Sequence, residues 1–134
     1  MAGYSGTPLV KKLGIKPGAR VLTVGAPREY SSRLEPLPEG ASISSRLHGK
    51  VDIVHLFVSA RKKLAKALPG AIERIAPHGM IWVSWPKKAA KVSTDVTEDT
   101  VRELALPLGL VDVKVCAVSE VWSGLKLVIR RENR

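Results

Sequence analysis

The sequence predicts a three-layer α/β fold with a mainly parallel sheet of about five or six strands. Apolar segments typical of strands buried on both faces alternate with segments of helical periodicity. Strands linked in this way are joined by right-handed crossovers and run parallel. The last two strands, 110–118 and 124–131, are joined only by the short link SEVWS, which predicts a closing antiparallel hairpin. We therefore expect a single domain over residues 1–134.

The first half of the chain contains one short helix and two strong strands. GTPLVKKLGI (6–15) predicts the helix, because Pro suits a first helical position and Gly a helix end. ARVLTVGAP (19–27) and KVDIVHLFVS (50–59) predict buried strands. Between them, YSSRLEPLP is typical of a short helical piece and ASIS (41–44) of an edge strand. The segment 28–50 stays open between strand, helix and flap.

The longest helix is expected directly after the second buried strand. Ser59 is its predicted N-cap, and Pro69 with Gly70 predicts either a kink or two joined segments. Spacings of three and four give it one buried stripe, formed by Ala60, Leu64, Ala67, Leu68, Ala71, Ile72 and Ile75. APHG (76–79) predicts a turn after this helix.

The third buried strand, MIWVSW (80–85), carries two of the three tryptophans. Trp82 and Trp85 differ in parity, so we expect them on opposite faces of the sheet. A final helix is expected to begin at Asp95 or Thr97 and to run to about Leu106.

The charge balance favours anionic partners. The chain has 22 Lys and Arg against 12 Asp and Glu, a net charge of +10. Nucleic acid and phosphorylated small molecules fit this balance, while a solvated surface without a partner is the competing interpretation. No apolar run reaches the roughly 20 residues of a membrane-spanning helix, and no secretory leader is recognisable. Cys116 is the only cysteine, which excludes an internal disulfide, and we expect a cytoplasmic protein.

The order of the predicted elements and three segments resemble the Rossmann-type fold of the S-adenosylmethionine-dependent methyltransferases, which implies a single Rossmann-like domain. LGIKPGARVLTVGAP is similar to their first helix, turn and strand, VDIVHLFV to their D-x-V strand, and IAPHGMIWVSWP to their L-x-P-G-G turn and next strand. The resemblance implies a cofactor site at the loop after the first strand. Here Ala26 and Pro27 follow Gly25 where that family is glycine-rich, and Pro27 lacks an N–H donor. We therefore expect a degenerate, pared-down cofactor site and no bound cofactor.

A more specific resemblance runs nearly end to end. The stretches GYSGTPLVKKLGIKPG, WVSWPKK, TEDTVRELALPLGLVDVKVCAV and WSGLKLVIRRENR identify the chain as a member of a family of small bacterial proteins whose domain has no known function. This resemblance implies no activity, substrate or catalytic residue.

The candidate ligand crevice follows from the predicted sheet. Ligands of open α/β sheets bind beyond the carboxyl ends of parallel strands. Those ends should place Ser59 at a helix start, with Trp85 as a wall or a packed residue and Lys87 and Lys88 as anion-binding cations. The first loop would add Gly25, Ala26 and Pro27.

Other residues carry weaker signals. His55 lies within a strand and favours a structural role over a base or a ligand. Trp122, in the hairpin link, is a candidate interface residue, so a homodimer is one expectation. Zinc, P-loop and nucleophile-elbow motifs are missing from the sequence.

These signals leave the enzymatic status open. We expect a non-catalytic domain or one that binds a small ligand or an anion. The alternatives are a minimal methyltransferase-like or nucleotide-dependent transferase and a basic nucleic-acid-binding module.

Overall fold

A computed structural model describes residues 7–134, and Gly6, the first residue of the predicted amino-terminal helix, lies outside that range. Within it, six strands form one sheet: β1 (Arg20–Val24), β2 (Ser42–Ser44), β3 (Val51–Phe57), β4 (Ile75–Pro86), β5 (Leu110–Ala117) and β6 (Trp122–Ile129). Their order is β2-β1-β3-β4-β6-β5. Neighbours from β2 to β4 are parallel, and β6 is antiparallel to β4 and β5. This confirms the predicted α/β sheet and its closing hairpin.

Helices cover parts of both faces of the sheet. The described α-helices are α1 (Leu9–Lys12), α2 (Tyr30–Arg33), α3 (Arg61–Arg74) and α4 (Glu98–Ala105). On one face, α3 contacts β3 and β4, while α4 contacts β5 and β6. On the other face, residues of α1 and α2 share an apolar cluster with Ile53 and Trp82. We call these the α3 face and the α1 face.

The α3 helix differs from the sequence prediction at its start. Ser59 was the predicted N-cap, but the N-cap is Ala60, which makes no side-chain cap. The carboxylate of Asp95 takes that role, because its Oδ1 accepts from the backbone N of Arg61 at 2.7 Å. The helix continues through Pro69 as one element, so the alternative of two joined segments is wrong.

The other predicted boundaries have mixed outcomes. Thr97 is the N-cap of α4, and its hydroxyl and that of Thr100 exchange capping bonds with the backbone, which confirms one of the two predicted starts. The open segment 28–50 forms α2 and the parallel edge strand β2. The predicted turn 76–79 lies instead within β4, where the register with β3 jumps from Ile75 to Met80.

The two tryptophans of β4 confirm the parity argument. Trp82 belongs to the cluster on the α1 face and donates its indole N–H to the carbonyl of Leu13 at 3.0 Å. Trp85 belongs to the cluster on the α3 face.

Each helix in the described part of the chain is too short or too polar to cross a membrane.

Candidate functional site

The loop after β1 is shaped by contact with the neighbouring strand. Gly25 has a φ of +71°, and a Cβ at this position would lie 2.8 Å from the carbonyl oxygen of Phe57. A side chain is therefore excluded by both conformation and space. Ala26 and Pro27 follow as half-buried residues, and Ala26 packs against the cluster on the α1 face. The positive φ and the close approach to Phe57 together account for the glycine.

The start of α3 already faces a negative charge. Besides the bond from Asp95 to Arg61, the carbonyl of Ser59 accepts from the Thr94 hydroxyl at 2.8 Å and from the Asp95 backbone N at 3.3 Å. The positive end of a helix attracts anions, and here a carboxylate of the same chain occupies that position. An external anion at Ser59 would have to compete with Asp95.

The remaining residues of the predicted crevice are spread around the end of β4. Trp85 is only 7% exposed and packs within the α3-face cluster. Lys87 is half-buried, and its backbone N donates to the carbonyl of Val121 at 2.8 Å, whereas Lys88 is exposed. The indole of Trp85 thus takes the packed alternative that the sequence left open. Ligand binding at this edge stays a prediction.

Trp122 packs inside its own chain. Its ring makes an edge contact with Phe57 at a centroid distance of 5.2 Å, and the residue is half-buried. An interface role for Trp122 also stays a prediction.

A row of three buried polar side chains crosses the α1 face. The Tyr30 hydroxyl lies 2.7 Å from Nδ1 of His55, and Nε2 of His55 lies 2.7 Å from the Ser84 hydroxyl. His55 also stacks on Phe57 at 4.1 Å. Both ring nitrogens thus have partners, which agrees with the structural role that the sequence favours.

This row is unsuited to catalysis in its present arrangement. Burial lowers the pKa of His55 to about 3, so the ring is neutral near pH 7, and burial raises the pKa of Tyr30. Tyr30 is 2% exposed, and His55 and Ser84 are fully buried, so a substrate has no access. No local pattern in the sequence points to Tyr30, because its partner His55 lies 25 residues away.

Four lysines lie near one another on the α1 face. Lys114 of β5 and Lys126 of β6 are register partners, and Lys126 is in turn opposite Trp82. Lys12 and Lys16, at the end of α1 and in the turn after it, lie within electrostatic range of the strands. We call Lys12, Lys16, Lys114 and Lys126 the lysine face.

A β-bulge removes the nearest carboxylate from this face. Simple alternation would place Asp112 and Lys114 on the same side of β5. The register shifts between them, so Asp112 is opposite Leu127 of the α3-face cluster while Lys114 is opposite Lys126. Asp112 then forms an ion pair at 2.9 Å with Arg102 of α4, on the other side of the sheet.

The charges of the lysine face act on one another. Burial lowers the pKa of Lys126, and the positive charges of Lys114 and Lys16 lower it further. Burial raises the pKa of the Cys116 thiol, while Lys12 and Lys114 act in the opposite direction. The ion pairs found within residues 7–134 use Arg61 or Arg102, and none includes Lys16, Lys114 or Lys126.

A cavity lies beside the lysine face, at the amino ends of the parallel strands. It has a volume of about 290 Å³, near the lower limit for small-molecule sites. Lys16, Asp52 and His78 supply its charged or titratable lining, with Gly14, Pro17, Gly18, Ala19, Ile53 and Met80 as the remaining residues. Because it is at the edge opposite to the predicted crevice, sequence reasoning missed it.

A family model for proteins of unknown function, DUF3052, matches residues 11–131. The chain belongs to the DUF3052 family. This agrees with the end-to-end resemblance seen in the sequence, and it assigns no activity to the DUF3052 protein. A search of curated proteins found no match.

Solved structures similar to the DUF3052 protein include methyltransferases. Fibrillarin from Aeropyrum pernix, in complex with natively bound S-adenosyl-L-methionine, aligns with a TM-score of 0.61 at 15% identity, over 94% of this chain and 70% of the other. A SAM-dependent methyltransferase from Aquifex aeolicus gives 0.60 at 15% identity, over 91% and 88%. A precorrin-6y C5,15-methyltransferase from Geobacter metallireducens gives 0.59 at 13% identity, over 91% and 86%. At such identities the likeness shows a methyltransferase-like Rossmann fold, and the fold alone.

Proposed function

We propose that this DUF3052 protein is a non-catalytic Rossmann-like domain that binds a phosphate-bearing ligand on its lysine face. The observation that carries the proposal is the cross-strand pair Lys114 and Lys126, whose nearest strand carboxylate, Asp112, is turned to the opposite face. Like charges in this position destabilise a sheet. An anionic ligand would offset that cost, since it would neutralise both ammonium groups at once.

Phosphate fits this surface better than a carboxylate ligand does. Lysine ammonium groups bind phosphate as point charges and need no planar, bidentate geometry. Lys16, Lys114 and Lys126 on one face favour a ligand with several negative charges, such as a polyphosphate or a nucleic-acid backbone. The cavity that Lys16 lines could hold a small group attached to the phosphate. We expect the protein to bind this ligand in the cytoplasm.

The methyltransferase-like edge of the sheet supports the non-catalytic part of the proposal. The carboxylate of Asp95 caps the start of α3, and Gly25 allows the loop after β1 to approach the carbonyl of Phe57 closely. The buried row through His55 has no access for a substrate. Packing therefore explains why Tyr30, His55 and Ser84 lie together in the core.

Binding should be measured with two probes at low ionic strength. Calorimetry with inorganic pyrophosphate tests a small phosphate ligand, and fluorescence anisotropy with labelled oligothymidylate tests a nucleic-acid backbone. We expect the double variant Lys114→Gln/Lys126→Gln to weaken binding of at least one probe about tenfold.

The matched control is Lys62→Gln/Lys63→Gln, two exposed lysines of α3 with the same loss of charge. It should bind like the wild type. Equal weakening by both double variants would reduce the effect to net charge and would overturn the proposal, as would absence of binding to both probes.

A second candidate function is a minimal methyltransferase, which the similarity in fold to the Aquifex aeolicus enzyme favours. It predicts micromolar binding of S-adenosylmethionine or S-adenosylhomocysteine in calorimetry. Such binding would contradict the non-catalytic reading, and absence of heat at millimolar concentration would remove the methyltransferase alternative.

A further inference from the structure

The cavity at the amino ends of the parallel strands is continuous with the lysine face. Lys16 lines the cavity and lies within electrostatic range of Lys126. Met80 also lines it, two positions before Trp82, which is the register partner of Lys126. Met80 and Lys126 are therefore diagonal neighbours on one face of the sheet, with Cα atoms about 7–8 Å apart. A ligand whose phosphates lie on the lysine face thus reaches the cavity with its remaining part.

Most of the residues that line this cavity are accessible to a ligand. Of the nine, only Ala19 and Ile53 are buried. Gly14 and Met80 are half-buried. The exposed members are Lys16, Pro17, Gly18, Asp52 and His78. A ligand therefore enters the cavity without displacing the core of the sheet.

An irregularity in the sheet brings two polar side chains to this cavity. Residues 76–79 of β4 have only Asp52 opposite them in β3, because the register shifts there. Gly79 allows the two strands to lie close together, since a Cβ on it would be 2.8 Å from the carbonyl oxygen of Asp52. Bulges change the direction of side chains relative to regular alternation. As a result, His78 and Asp52 line the same cavity.

The carboxylate of Asp52 keeps one oxygen available to a ligand. Its Oδ2 accepts from the backbone N of Arg20 at 2.8 Å, and no hydrogen bond described within residues 7–134 uses its Oδ1. The guanidinium of Arg20 donates instead to the carbonyls of His48 and Lys50. The ion pairs found in the same range of residues do not include Asp52. An ionised carboxylate only accepts hydrogen bonds, so it selects a ligand group that carries donors.

The walls of the cavity suit a flat heterocyclic ring. Gly14 and Gly18 present backbone without side chains, and a Cβ on Gly14 would lie 3.4 Å from the methyl group of Met80. The thioether of a methionine makes favourable contacts with aromatic rings. The imidazole of His78 is a group on which a nucleobase stacks. The volume of about 290 Å³ has room for one such ring system.

We propose that the ligand of the lysine face is a nucleotide whose base occupies this cavity, a step that rests on the proposed function. Asp52 accepts from N–H donors on the edge of the base, while Met80 and His78 pack against the ring. Lys16 lies between the base and the phosphates. Adenine and guanine both carry an exocyclic amino group and meet this requirement. The site is at the sheet edge opposite to the loop after β1, where the methyltransferase resemblance implies a cofactor.

Calorimetry with four ligands tests whether the base is recognised. The ligands are ATP, GTP, purine riboside triphosphate and inorganic tripolyphosphate. Purine riboside triphosphate has the ring system of ATP without the amino group, and tripolyphosphate has no base. We expect ATP or GTP to bind the full chain at least about tenfold more tightly than either control, because a hydrogen bond to a carboxylate is lost in the controls. Equal affinities for all four ligands would overturn the proposal.

Asp52→Asn separates recognition of the base from the effect of charge. The amide oxygen can still accept from the backbone N of Arg20, while the amide N–H group replaces an acceptor by a donor. The substitution also removes a negative charge, so electrostatics alone predicts tighter binding of every ligand. We expect it instead to weaken ATP or GTP about tenfold and to leave tripolyphosphate at least as tightly bound. Preference for ATP or GTP that persists in this variant would overturn the proposal.

The matched control is Glu120→Gln, which makes the same change of charge at an exposed position of the hairpin link. It should bind all four ligands with the wild-type order of affinities. The melting temperature of Asp52→Asn and its binding of tripolyphosphate both report whether the variant is folded, and the comparison of ligands on the wild type needs no variant.

Lys114→Gln/Lys126→Gln separates failure of this proposal from failure of the proposed function. It should weaken tripolyphosphate and the nucleotides alike, because it removes contacts to phosphate. Tripolyphosphate binding that this double variant weakens, with no preference for ATP or GTP in the wild type, would overturn the nucleotide and leave the proposed function in place. Nucleotide binding that Asp52→Asn weakens and the lysine variant leaves unchanged would contradict the proposed function and, with it, the placement of the phosphates.

Discussion

Lys114 and Lys126 stand opposite each other on adjacent antiparallel strands, two ammonium groups where opposite charges would stabilise the pair. The arrangement depends on the bulge that sends Asp112 to Arg102 on the other face. A sheet that keeps such a pair is less stable than it could be, which is common where a surface binds a ligand.

Removing one member of the lysine pair should stabilise the protein. We expect Lys114→Thr to raise the free energy of unfolding by about 0.5 kcal/mol at low salt, because it removes the repulsion and introduces a good strand former. Urea denaturation at low and high salt measures the effect. The gain should shrink at high salt, where the repulsion is screened. A loss of stability would show that Lys114 has a stabilising partner instead.

The stability of the fold should decrease in acid because of His55. Its pKa is about 3 in the folded protein, well below the ordinary value near 6.5. Below about pH 6.5, His55 therefore binds a proton in the unfolded chain but not in the folded protein. The free energy of unfolding decreases as pH falls from there toward 3. The slope from this residue approaches about 1.4 kcal/mol per pH unit.

Denaturant unfolding from pH 7 to pH 4, with NMR of the His55 ring, measures this effect. The ring resonances should stay those of the neutral form across this range. A ring that titrates near pH 6.5 would contradict the buried row.

The two hydroxyls beside His55 should both be needed for stability. Tyr30→Phe and Ser84→Ala each leave one buried ring nitrogen without its partner, at a cost of about 1–3 kcal/mol. Ser31→Ala, at an exposed position of α2, is the control and should change little. Thermal or urea unfolding separates the three variants. A neutral effect of both buried substitutions would mean that water replaces the hydroxyls.

Gly25 should be replaceable only at high cost. Gly25 and Gly49 have similar φ angles, +71° and +73°, but only Gly25 has an atom within 4 Å of its added Cβ. Gly49→Ala therefore measures the conformational cost alone, about 1–2 kcal/mol. Gly25→Ala should cost clearly more, because the Cβ meets the Phe57 carbonyl. Equal costs in urea unfolding would show that the loop moves freely away from β3.

Local patterns were sufficient to predict most of the sheet, apart from the edge strand β2 and the first residues of β4. The apolar runs of β1, β3 and β4, the short hairpin link and the split of Trp82 from Trp85 all follow from periodicity over a few residues. The class of fold follows from their order. These features depend on neighbours in the sequence, and the structure confirms them.

Features that depend on contacts between distant residues could not be predicted from local sequence patterns. Asp95 takes the place of Ser59 at the start of α3 from 34 residues beyond Arg61. The lysine face depends on a register shift in β5 that no local pattern indicates. Simple alternation would place Asp112 and Lys114 on the same side of the strand. For this reason the predicted site lies at the carboxyl ends of the parallel strands, whereas the proposed site lies on the α1 face of the terminal hairpin.

The salt dependence of oligothymidylate binding tests the proposed lysine face most directly. For single strands the slope of log K against log salt changes by about 0.7 for each phosphate neutralised. We expect Lys114→Gln/Lys126→Gln to reduce the magnitude of the slope by about 1.4, while Lys62→Gln/Lys63→Gln leaves it at the wild-type value. The same slope in all three proteins, or a reduction confined to the α3 variant, would contradict binding at the lysine face.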